Sequence, residues 1–243
     1  MNVSALTIAP VKGMRVAPVD AIALGPVGAE GDRRFVVVDP ERALLLLTTR
    51  TPKLLQVVAR YDGGTLSLGF PDGSVVSAVP EPGAPVTTAN YADRPIRGHL
   101  VEGALTEAVA AHLGRPAQLV MLDPGERGAD DAPVTLMSTA SLAALAVPDA
   151  RRFRMTIAID GAQAWEEHGW TGREIAVGDA VLRGADPVGR CVVTTRDPET
   201  GSTDAPTLKA LAALRGKHDV TFGIWCEVVA PGAVRVGDAV AVT

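Results

Sequence analysis

Cys191 is the residue of this sequence best suited to chemistry. It follows Arg190 and leads into Val192-Val193-Thr194-Thr195, after which Asp197-Pro198-Glu199-Thr200-Gly201 reads as a turn. Asp, Pro and Gly each favour turns for a separate reason. A thiolate is a soft metal donor, and a neighbouring positive charge favours the ionised thiol. The β-branched residues behind it predict a short strand beginning at or just after Cys191. A lone cysteine is also commonly a small buried hydrophobe. That reading suits Cys226, which ends the apolar run Phe222-Gly223-Ile224-Trp225 with no base beside it.

Four other stretches carry polar groups at element boundaries. Lys12-Gly13 follows Pro10, where the alternating run from Val3 to Ala9 stops. Asp32-Arg33-Arg34 precedes the apolar run Phe35 to Val38, and Asp130-Asp131 precedes Ala132-Pro133-Val134. Arg151 to Gly161 reads as a strand with a basic lead-in, RRFR, of a kind common on surfaces; Arg151 and Arg152 receive no role. Each group has an ordinary reading: a solvated turn lysine, a weak surface Asp–Arg pair, loop acids. His168, in Trp165-Glu166-Glu167-His168-Gly169-Trp170, is assigned no chemistry.

Taken together, these strings resemble one family. Gly189-Arg190-Cys191, Thr194-Thr195 and Asp197 to Gly201 resemble the signature of MOSC domains. The similarity is greatest to the two-part members, such as the mitochondrial amidoxime-reducing component family. Pro10-Val11-Lys12-Gly13, Asp32-Arg33, the looser Thr48-Thr49-Arg50 with Pro52, Asp131-Ala132-Pro133 and Phe153-Arg154-Met155-Thr156-Ile157 follow in that family's order. The resemblance implies a molybdenum cofactor of the molybdopterin type. Cys191 would be the metal ligand and catalytic residue. Lys12, Arg33, Asp131, Arg154, Thr156 and Arg190 would bind the cofactor, with Lys12 and Arg33 on its phosphate. Of the two adjacent arginines, the resemblance favours Arg33 over Arg34.

Gly13, Ala132 and Thr156 stand where the relatives' motifs carry serine, serine and asparagine. Each change removes a polar contact, although a glycine N–H can still face a phosphate. Weakened cofactor retention is therefore expected, with Gly13→Ser and Thr156→Asn together restoring it.

The elements that must position these residues are mostly strands. Hairpin signals at Asp62-Gly63-Gly64 and Asp72-Gly73 separate short β runs. Ile175 to Leu182 is nearly repeated at Val234 to Ala241, each with a Gly-Asp corner. Three helices are expected. One spans Ala104 to Gly114. A second follows an N-cap at Ser138 and stops at Pro148. The third follows Asp204 as cap and Pro206, and ends at Gly216. The fold class is mostly β, β-barrel with a few helices. The resemblance divides it into an N-terminal β-barrel-like domain over residues 1–120 and a MOSC β-barrel domain over residues 121–243.

Composition limits the partners. The net charge is −5 with both signs scattered, so no nucleic-acid footprint is expected. No run is long enough to span a membrane, and the start does not read as a signal peptide, so a cytoplasmic location is expected. Two cysteines cannot build a disulfide framework or an iron–sulfur cluster. By resemblance, the function is an oxidoreductase that reduces N-hydroxylated or related compounds. A small-molecule substrate and a separate electron-transfer protein are then required. The alternative is a non-catalytic carrier of the cofactor or of sulfur on Cys191. A metal-free cysteine enzyme would need a histidine near Cys191 in space.

Overall fold

A computed structural model describes residues 1–89, 93–145, 147 and 149–243. The chain is mostly β. Its largest sheet has eight strands and is built chiefly from the C-terminal half, but two of its members come from the start of the chain. Strand Asn2–Ile8 pairs antiparallel with Ile157–Asp160 on one side and with Ala17–Val19 on the other. The sheet curls until Asn2 bridges Ala239, with Val3 N donating to Asp238 O at 2.8 Å and Val240 N to Met1 O at 2.8 Å. Meeting ends satisfy backbone groups that an open edge would leave unpaired. Val3, Leu6, Ile22 and Leu24 are buried with Val134, Ile157, Ile175, Leu182 and Ile224 in one core.

The remainder of the first half has its own core. A five-stranded sheet contains Phe35–Asp39 between Gln118–Leu122 and Leu44–Leu45. A three-stranded meander, Val58–Tyr61, Leu66–Gly69 and Val75–Ala78, turns at the two expected Asp-Gly positions. Helix Ala104–Leu113 packs Leu105 and Val109 against Phe35, Leu54 and Leu119. The expected division at residue 120 is crossed by hydrogen bonding, because the first two strands lie in the sheet of the second half.

The helices form near their expected places. Ser138 accepts from Ala140 N at 3.1 Å at the start of Thr139–Leu145. The Pro148 stop lies outside the described residues. Helix Thr207–Arg215 ends at Gly216 as expected, but Asp204 does not cap it. The Asp204 carboxylate instead binds Arg152 through two bonds, of 2.7 and 2.8 Å. A bidentate pair to a guanidinium outcompetes a single cap hydrogen bond.

Two expected strands are 3₁₀ turns. Ala150–Phe153 is one, capped by Asp149, whose carboxylate accepts from Arg151 N at 2.9 Å. Only Ile157–Asp160 of that stretch is strand. Val192–Thr195 is the other. Here the threonine hydroxyls donate back to the chain, Thr194 to Cys191 O at 3.0 Å and Thr195 to Val192 O at 2.7 Å. Such local bonds offer the backbone an alternative to a ladder and override β propensity. The turn leaves Cys191 extended at its head, with its residue exposed.

The loop behind that turn is fastened to the first half. Arg15 donates to Glu199 O at 3.0 Å, Gln56 to Thr200 O at 2.8 Å and Arg196 to Thr49 O at 3.2 Å. Gly201 closes the contact at φ +75, where a Cβ would stand 2.6 Å from the Pro52 carbonyl oxygen. Gly201→Ala therefore meets both backbone strain and a clash. We expect a loss of about 1–3 kcal/mol, read as a lower melting temperature in calorimetry. An unchanged melting temperature would mean that this loop is not docked on Pro52.

Candidate functional site

A cavity of about 520 Å³ opens between the two halves. Every residue expected in the site lines it: Lys12, Arg33, Asp131, Arg154, Thr156, Arg190 and Cys191. Such a volume suits a ligand of cofactor size. The wall carries five cationic side chains, counting Arg152, against the carboxylates of Asp130 and Asp131.

Lys12 lies on the segment that joins the two cores. Its backbone N donates to Phe35 O at 2.8 Å, while buried Val11 and Met14 anchor either side. The Nζ donates to Gly128 O at 2.7 Å and pairs with Asp130 Oδ1 at 2.5 Å. Burial lowers the Lys12 pKa, and Asp130 partly restores it. Asp130 had the ordinary reading of a loop acid; no spacing in the sequence links it to Lys12.

Arg33 turns inward, as the resemblance favoured. Its Nη1 binds Asp32, whose carboxylate also accepts from Ala9 N at 2.7 Å. The Asp32 side chain is only 4% exposed, so this pair is an interior one rather than a solvated surface contact. Arg34 turns away, its Nη1 donating to Leu122 O. Arg154 comes from the second half, with Nη1 donating to Met14 O at 2.7 Å and its carbonyl oxygen accepting from Arg33 Nη2 at 3.4 Å. Burial, and then the nearby Arg33, push its pKa down to about 10.

Arg33 and Arg154 both have positive φ, 50° and 55°, in a region non-glycine residues rarely occupy. Each such residue costs of order 1–3 kcal/mol and persists where surrounding contacts overdetermine it. Both strained arginines face one cavity.

Arg190 differs from its expected role as a donor to the cofactor. Its Nε and Nη2 donate to Phe222 O at 3.0 and 2.5 Å, and its Nη1 to Phe153 O at 3.0 Å. The guanidinium also lies 5.5 and 5.8 Å from the Phe153 and Phe222 ring centres, within cation–π range. Burial pushes its pKa down to about 9, with Cys191 the one group acting the other way. Most of its hydrogens are thus turned into the protein, making it a strut behind Cys191. Arg152 was given no role, yet it is 6% exposed and braces the Cys191 loop through Arg196 O at 2.7 Å and through Asp204.

Thr156 is buried and paired. Its backbone N donates to Thr135 Oγ1 at 2.9 Å, and the two hydroxyls lie 3.3 Å apart. Thr135 and Trp225 line the cavity without having been singled out in the sequence, because their inward direction is set by strand pairing. Asp131 lies exposed on the lining. His168 is not on the lining; its ring packs edge-on against Trp165. Burial pushes the Cys226 thiol up to about 12, consistent with a packing residue.

Gly13 has φ +89, and a Cβ there would stand 3.0 Å from both Thr48 Oγ1 and Leu54 Cδ1. This strain opposes the expected benefit of Gly13→Ser. We expect that substitution to lower stability by about 1–3 kcal/mol, measured by thermal or urea unfolding. A variant as stable as the wild type would contradict the geometry at residue 13.

The chain is similar to several known proteins. The chain is 28% identical over 282 residues to mitochondrial amidoxime-reducing component 1 of Homo sapiens, spanning 98% of this chain and 82% of that protein. The Mus musculus protein of the same name is 27% identical over 279 residues, spanning 98% and 81%. Among solved structures, the YuaD protein of Bacillus subtilis superposes with a TM-score of 0.48 at 15% identity, covering 99% of this chain and 94% of that one. The model of the MOSC N-terminal beta barrel domain matches residues 1–111, and that of the MOSC domain matches residues 123–241. Between them these two matches take in nearly the whole chain, which belongs to the two-part MOSC-domain proteins.

Proposed function

We propose that this chain binds a molybdopterin-type molybdenum cofactor in the cavity between its halves. With it, the protein reduces N-hydroxylated or related small molecules, using electrons from a separate donor protein. One observation carries the reading. An exposed cysteine and three cationic side chains from distant stretches, Lys12, Arg33 and Arg154, line a single cavity. A phosphate-bearing ligand with a soft metal needs that combination of donors.

The residues present fit this group. Burial and then the nearby Arg33 depress the pKa of Arg154, so an anion between the two arginines would relieve like-charge repulsion. Lys12 and Arg33 would hold the phosphate. Arg154 would orient the cofactor from beside Arg33, and exposed Asp131 would accept from pterin N–H groups. The hydroxyls of Thr156 and Thr135 already bond to each other, so Thr156 would contribute mainly by shaping the wall. Cys191 would complete the metal's coordination, held in place by Arg190 and the 3₁₀ turn behind it. When bound, the cofactor would supply two-electron redox and oxygen-atom transfer at its metal. The apolar wall formed by Val188, Val193 and Trp225 would limit water around the reacting atoms.

The electron donor is assigned to another protein because two cysteines cannot ligate an iron–sulfur cluster, and one of them is buried. The similarity to proteins named amidoxime-reducing components supports the reaction class. No helix among the described residues is long and apolar enough to cross a membrane.

The test is reduction of an amidoxime by cofactor-loaded protein with a chemical electron donor. Cys191→Ala should keep the wild-type melting temperature and lose turnover by more than the roughly 10–100-fold typical when a residue that only orients a metal ligand is changed. Wild-type turnover in Cys191→Ala would remove the ligand assignment. Cofactor binding without turnover in the wild type would favour the carrier reading.

A further inference from the structure

Thr48 and Thr49, of the Thr48-Thr49-Arg50 segment, line the same cavity. Thr49 has a mechanical task, since its carbonyl oxygen receives Arg196. Thr48 has none of that kind. It is a buried polar residue, 9% exposed, and lines the cavity together with Lys12, Gly13 and Arg33. Its hydroxyl donates to Gly13 O at 3.2 Å. That is beyond the usual range for O–H···O bonds, and so a weak contact readily exchanged for a shorter, charge-assisted one.

The neighbouring backbone explains why the hydroxyl can sit there. Residue 13 adopts φ +89, and any Cβ on it would stand 3.0 Å from Thr48 Oγ1. The space beside Lys12 that a side chain at residue 13 would enter is therefore filled by the hydroxyl of residue 48. We infer that Thr48 is a further ligand of the anion held by Lys12 and Arg33, donating its O–H to a phosphate oxygen, and that Gly13 lacks a side chain so that this hydroxyl can reach the site. The inference rests on the proposed cofactor reading. It adds a binding residue from a third stretch of chain. It also supplies the hydroxyl whose loss at residue 13 was expected to weaken retention.

The experiment compares full-length wild type with Thr48→Val, Thr48→Ala, Thr48→Ser and Arg33→Ala, all made in a host that synthesises the cofactor. Pterin per protein is measured after oxidation to its fluorescent form. Affinity for inorganic phosphate is measured by calorimetry on cofactor-free protein, and thermal melting controls for folding. Thr48→Val keeps the shape and loses the hydroxyl. It should weaken phosphate binding about tenfold or more, the worth of one hydrogen bond to a charged group, and lower the pterin content. Thr48→Ala, which cannot crowd Gly13, must show the same loss, and Thr48→Ser must retain binding. Wild-type phosphate affinity and pterin content in both Thr48→Val and Thr48→Ala, with Arg33→Ala depleted, would overturn the role of Thr48 alone. Full pterin content in Arg33→Ala would instead overturn the phosphate assignment on which it rests.

Discussion

Burying like charges side by side is unfavourable, and this fold does so around one cavity. Lys12, Arg33 and Arg154 face a common space, and burial, followed by the nearby Arg33, depresses the pKa of Arg154. Fixed acceptors hold the cluster together: Asp130 and Gly128 O for Lys12, Asp32 for Arg33, and Met14 O for Arg154. Two of the three cations also sit on strained backbone. A protein selected for stability alone would have no use for this arrangement. The proposed anionic ligand would give it one, because such a ligand collects interactions already in place and requires little reorganisation.

The topology makes the cluster possible. The first strand leaves its own half and becomes part of the C-terminal sheet, where it pairs with Ile157–Asp160. Its continuation, Pro10 to Val16, then passes from one core to the other and carries Lys12 with it. Arg154 sits just ahead of the strand that Asn2–Ile8 pairs with, so Lys12 and Arg154 are neighbours through one sheet register. Cys191 arrives from a different strand end, and its loop is tied back to Arg15, Thr49 and Gln56. Both halves must therefore be folded and docked before the cavity exists.

Much of this could be read from residues. Gly-Asp corners, hairpin glycines and alternating apolar runs announce a β fold, because those signals are local. Cys191, Lys12, Arg33 and Arg154 stood out as polar groups at element boundaries, and the family's motif order linked them. Other features depend on contacts that no local pattern encodes. Thr194 and Thr195 are good strand residues that fold their hydroxyls back onto the chain, so the turn at Cys191 overrides their propensity. Arg152 was read as a surface residue because its partner, Asp204, is distant in sequence. Arg190 looked like a donor to the cavity until Phe153 and Phe222 claimed its hydrogens. Asp130 beside Lys12 and Thr48 beside Gly13 arise only when the two halves and their loops meet.

The central claim is that Cys191 ligates a molybdenum held by this cationic cavity. X-ray absorption at the molybdenum edge tests it directly on protein purified from a cofactor-producing host, comparing wild type with Cys191→Ser. The account predicts that the wild type carries molybdenum with one more sulfur neighbour than the variant. An identical sulfur shell in both proteins, or a wild type that takes up no molybdenum in such a host, would contradict it.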